Sequence, residues 1–137
     1  MSEFAAGWLD TNMILRYLLG EPQAQAQSAA AIIEHSDLIL ISPVILAESF
    51  FVLFTVYRRS RAEIVDSLAG LVNRENIQVS NIEKAFVIQA LSMCRDSGRV
   101  KVADALLWAE ARTSGQATIY TFDRRFPDQG VTLSEAL

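Results

Sequence analysis

Residues 38–48 read Leu38-Ile39-Leu40-Ile41-Ser42-Pro43-Val44-Ile45-Leu46-Ala47-Glu48, and the fold turns on them. The short continuous apolar run Leu38-Ile39-Leu40-Ile41 is what a strand buried on both faces requires. Ser42 is a favoured helix N-cap. Pro43, at the first helical position, gives up only an N–H that has no partner inside the helix. The strand therefore passes directly into a helix, which is expected to run to about Tyr57. A strand that hands over to a helix in this way begins a βαβ unit.

The same alternation extends in both directions. Residues 4–9 read as a first strand ending at Asp10. Within residues 11–19, Ile14, Leu15, Leu18 and Leu19 fall at helical spacing. Gly20 closes that helix, and Pro22 opens another to about Glu34. Beyond Tyr57, Ser60-Arg61-Ala62-Glu63 has the form of a capping box. Ile77-Gln78-Val79 is a small strand, and Ser80-Asn81-Ile82-Glu83 has capping-box form again, predicting a helix to about Asp96. Asp96-Ser97-Gly98 is a turn. A further helix covers residues 102–113 and stops near Gly115. Residues 117–121 and 131–133 are the last strands. This pattern predicts an α/β protein, a single domain over residues 1–137, with a mostly parallel sheet covered by helices on both faces. Ligands of such sheets bind beyond the carboxyl ends of the strands.

Bulk properties narrow the chemistry. The chain has 137 residues, 51% hydrophobic and 20% charged, a globular composition that can bury roughly two-thirds of its unfolded surface without staples. One cysteine, Cys94, excludes an internal disulfide, and one histidine, His35, leaves no Cys/His zinc set. A metal would need oxygen ligands, which favours hard ions such as Mg²⁺ or Mn²⁺. No apolar run reaches the roughly 18 residues of a membrane span, and Met1 to Gly7 lacks the basic flank of a signal peptide. The expectation is a soluble, cytoplasmic protein. The formal net charge of −4 argues against gripping nucleic acid by bulk charge alone.

Four carboxylates stand at informative places. Asp10 and Asp123 follow strands directly, and each taken alone reads equally as a turn or N-cap aspartate. Glu48 lies about one and a half turns into a helix that is apolar on nearly every side. It is therefore expected to be largely buried, where an ionised carboxylate needs a partner or a metal; a salt bridge or one exposed stripe is the alternative. Asp104 falls in the first turn of an apolar helix, where the helix dipole alone would favour it. Taken together, all four could point into one crevice. Clustered carboxylates resist joint ionisation, and a divalent cation removes that penalty. Such an ion can activate a water and stabilise in-line attack on a phosphodiester.

At Leu9-Asp10-Thr11-Asn12, Ser42 with Glu48, Ala103-Asp104-Ala105-Leu106-Leu107 and Thr121-Phe122-Asp123-Arg124-Arg125-Phe126, the chain resembles the PIN domain family, in particular the toxin subunits of VapBC toxin–antitoxin pairs. The resemblance covers nearly the whole chain; Met1 to Gly7 matches nothing in it. It implies a three-layer α/β/α sandwich with a five-stranded parallel sheet. It implies an Mg²⁺- or Mn²⁺-dependent endoribonuclease that cuts cellular RNA, forms a homodimer and is silenced by a small antitoxin. It makes Asp10, Asp104 and Asp123 metal ligands, Glu48 a further ligand or a water-orienting carboxylate, and Asn12 and Thr121 supports of the acids by hydrogen bonds.

Arg124 and Arg125 flank Asp123 and could hold phosphates, as could Arg58, Arg59 and Arg61. Solvated surface or antitoxin contacts are the competing readings. Phe50, Phe51, Phe54 and Tyr57 read as core or as a homodimer seam, the Val44–Tyr57 and Ser60–Leu71 helices being candidates for partner surface. Trp108 reads as core. A metal-dependent phosphatase of the haloacid dehalogenase type would want an acid where Asn12 stands. A non-catalytic binding module of the same fold is the remaining alternative.

Overall fold

A computed structural model describes residues 6–137, so residues 1–5, including Phe4 and Ala5 of the expected first strand, lie outside the described residues. The order is β1 (Ala6–Trp8), α1 (Thr11–Leu19), α2 (Gln23–His35), β2 (Leu38–Ile41), α3 (Pro43–Thr55), α4 (Arg61–Val72), β3 (Ile77–Val79), α5 (Lys84–Met93), α6 (Val102–Ser114), β4 (Thr118–Tyr120) and β5 (Thr132–Ser134).

All the described strands pair in parallel; helices cross between β1, β2 and β3, and the loop of residues 121–131 carries the chain from β4 to β5. Trp8 lies opposite Leu40, Leu40 opposite Gln78, and Ile119 opposite Leu133. The expected single sheet of about five strands is corrected: β1-β2-β3 form one sheet and β4-β5 a separate pair. The three described residues of β1, at one edge of its sheet, are all exposed. Ile39, Ile41 and Ile77 on the other strands are buried, and each contributes about 1.5–3 kcal/mol. The β4-β5 pair anchors through buried Ile119 and packs against α6.

The helix ends follow local chemistry where the chain is free to obey it. Met13 N–H donates to Asp10 Oδ1 at 2.9 Å, capping α1, and Gly20 ends it at φ 75°. Val44 N–H donates to Ser42 Oγ at the start of α3. Both halves of the Ser60/Glu63 capping box form on α4. The second box does not. Asn81 turns left-handed at φ 62°, Ile82 is buried, and Glu83 N–H is taken by Thr113 Oγ1 at 3.0 Å, so α5 begins only at Lys84. It ends at Met93 rather than near Asp96: Cys94 leaves helical geometry at φ −99° and ψ 1°, and Arg95 beyond it pairs with Asp66 (2.9 Å) and Asp96 (3.1 Å). Trp108 is core, 1% exposed, with Nε1 donating to the Gln129 carbonyl at 2.8 Å. Among the described residues, no helix is long and apolar enough to cross a membrane.

Candidate active site

Asp10 stands just past β1 as the N-cap of α1. Its Oδ1 is committed to the Met13 N–H, while Oδ2 makes no hydrogen bond among the described residues. The residue beside it, Thr11, donates its hydroxyl to Glu48 Oε2 at 2.8 Å. That bond ties the first turn of α1 to α3. It places Glu48 next to the Asp10 segment, although 37 positions separate Thr11 from Glu48.

Glu48 itself corrects an expectation, because it is exposed rather than buried. The buried face of α3 carries Leu46, Ser49, Phe50 and Leu53. The opposite face leaves Val44 72% and Phe51 63% exposed, and these are the helical neighbours of Glu48 four residues before and three after. The apolar composition of α3 thus reflects one buried face and one uncovered apolar stripe, and Glu48 lies on the stripe. Of the aromatic group, Phe50 is buried while Phe51 and Phe54 are exposed.

Asp104 lies half-buried in the first turn of α6, a helix that packs against α3. Burial pushes the neighbouring Cys94 thiol up to about 11; the positive charge of Arg61 pulls it down and the negative charge of Asp104 pushes it further up. Arg61 reaches this corner from α4, its guanidinium stacked over the Phe54 ring at 4.5 Å and filling the space beside Gly98. This placement leaves Arg61 far from a free phosphate clamp.

Asp123 sits past β4 in a tightly held turn. Its N–H donates to Thr121 Oγ1 at 3.0 Å, and its Oδ1 accepts from Arg125 N–H at 2.9 Å. Thr121 therefore fixes the backbone of Asp123 rather than its carboxylate. Asn12, expected to support the acids by a hydrogen bond, lines a groove with Asp10 but makes no side-chain hydrogen bond among the described residues, and Thr11 has the bond instead. A hydroxyl at the first position of a helix capped by Asp10 was the available signal for it. Arg124 pairs with Glu135 at 3.5 Å on the open surface, a weak contact. The Arg125 guanidinium has no hydrogen bond or ion pair among the described residues.

Asp10 and Asn12 line a groove of about 480 Å³ with Arg16 and Ser28, and Asp123 lines another of about 450 Å³ with Thr121, Arg124 and Glu135. Among the described residues, no three His, Cys, Asp or Glu side chains converge on one point that could hold a metal ion. The arrangement joins Glu48 to the Asp10 segment and leaves Asp104 and Asp123 on adjoining elements. The donor chemistry still suits a hard divalent ion. Every candidate is a carboxylate, Asp10, Glu48 and Asp123 each keep one oxygen uncommitted, and Mg²⁺ characteristically takes one or two protein carboxylates and fills its remaining positions with water.

A sequence model described as the PIN domain matches residues 8–131 of this chain. No curated protein matches it.

Proposed function

The chain belongs to the PIN domain family, whose proteins are in general nucleases, and from that membership we propose that it is a divalent-metal-dependent endoribonuclease using Mg²⁺ or Mn²⁺. The observation that carries the proposal is the Thr11–Glu48 bond, which links an acid from mid-chain to the segment of Asp10. When bound, the ion supplies Lewis acidity for activating a water and stabilising the leaving oxygen. Asp10, Glu48, Asp104 and Asp123 are the residues that would supply its oxygen ligands. Thr11 orients Glu48, and Thr121 holds the turn that presents Asp123. Arg125 is available to a substrate phosphate.

The finer reading is the toxin of a VapBC-type pair, acting in the cytoplasm as a homodimer and held by a small antitoxin. The uncovered stripe of α3, with Val44 and Phe51 exposed, supports a protein partner, because such apolar patches favour protein contacts. The test is RNA cleavage by the purified protein with Mn²⁺. Cleavage that stops with EDTA and is absent in Asp10→Asn supports the proposal; equal cleavage in EDTA refutes it.

A further inference from the structure

Phe122 is the most exposed aromatic side chain of the described residues, 84% open to solvent, and its ring has no aromatic or cationic partner among them. A single exposed apolar residue is ordinary, but the setting of this one is not. The backbone on both sides is held. Thr121 N–H donates to the Ser134 carbonyl at 3.0 Å, Thr121 Oγ1 accepts from Asp123 N–H, and Phe126 N–H donates to the Asp123 carbonyl while its ring is buried. The ring therefore stands on a fixed base, and a contact made through it costs little more than its own rotamers.

Two arginines follow immediately: Arg124 is paired with Glu135, and the Arg125 guanidinium, without a hydrogen bond or ion pair among the described residues, is open to a phosphate. The chain as a whole carries a formal net charge of −4, so counterion release over its surface contributes little to nucleic-acid affinity. Binding has to come from local contacts, and base–aromatic stacking supplies affinity without adding charge.

We infer that Phe122 stacks on an unpaired base of the RNA and so positions the strand across Asp123, with Arg125 on an adjacent phosphate. This inference rests on the ribonuclease reading. Phe122 is a positioning residue that touches a base and takes no part in bond cleavage.

The test measures binding of a short unstructured oligoribonucleotide by fluorescence anisotropy in an Asp10→Asn background, for Phe122→Ala, Phe122→Leu and Phe122→Trp. The Ala and Leu variants should raise Kd about 5- to 150-fold, and Trp should restore it, because Leu keeps apolar bulk without a stacking face. In the chain with Asp10 intact, Phe122→Ala should raise KM more than it lowers kcat. Unchanged Kd in Phe122→Ala, or Leu binding as well as Phe, overturns the inference. Unchanged RNA binding with self-association lost in sedimentation also overturns it and assigns the ring to a protein interface. If the unsubstituted chain neither binds nor cleaves RNA, the ribonuclease reading falls and the stacking role with it.

Discussion

Thr11 Oγ1 donates to Glu48 Oε2 across 2.8 Å, so the hydroxyl next to Asp10 decides where the α3 carboxylate points. Thr11→Val keeps the shape and removes the donor. A hydrogen bond to a charged acceptor contributes about 1.5–3 kcal/mol when buried, but this one is open to solvent, so folding should suffer by less than about 1 kcal/mol. Cleavage should fall roughly tenfold and need more Mn²⁺, since a loosened ligand has to be ordered by the ion. Thr11→Ser should behave like the unsubstituted chain. Rates measured across a Mn²⁺ titration check this, and a Val variant with an unaltered titration curve would remove Glu48 from the site.

Ser60 and Glu63 satisfy each other's backbone N–H at the start of α4. Ser60→Ala should cost about 1 kcal/mol, seen as a lower denaturation midpoint in urea. Activity per folded molecule should stay the same, because the cap does not touch the acids.

The two capping-box sequences show what was legible in the chain and what was not. Ser60-x-x-Glu63 forms its box, and Ser42-Pro43, Gly20 and Gly115 bound helices as their types dictate, because each acts within one turn. Ser80-x-x-Glu83 has the same spelling but fails. Its Glu83 N–H is claimed by Thr113, 30 residues on, and a long-range partner leaves no local mark. The exposure of Glu48 is invisible in the sequence for a related reason. The composition of α3 shows that it is apolar, not which face a neighbour covers. Pattern alone places Asp10 and Asp123 at strand ends, whereas the Thr11–Glu48 link exists only in the fold.

The thiol of Cys94 is fully buried and raised to about 11 from an ordinary 9.0. Its neutral form is thus favoured in the folded state. The resulting stability is complete below pH 9 and is lost as pH rises toward 11, because only the unfolded chain ionises easily there. Cys94 should resist a thiol reagent at pH 8 until denaturant is added. Thiolate absorbance in the native protein should rise near pH 11, and a rise near pH 9 would contradict the burial.

Phe51 is exposed on the uncovered stripe of α3. If that stripe is the homodimer seam, Phe51→Glu should convert the dimer to a folded monomer in light scattering, since a charge buried opposite apolar surface is costly. A dimer that survives the substitution would move the seam elsewhere.

If these acids hold a metal for RNA hydrolysis, Asp10→Asn should lose cleavage while staying folded. Asn caps helices as well as Asp, so the amide oxygen can keep the Met13 N–H bond while the carboxylate charge is lost. The measurement is RNA cleavage with Mn²⁺ by the variant and the unsubstituted chain, purified alike and matched by circular dichroism. The prediction is a loss of at least about 100-fold, in line with removal of a group that acts in the transition state. Cleavage at the unsubstituted rate in the folded variant would show that the Asp10 carboxylate takes no part in the reaction.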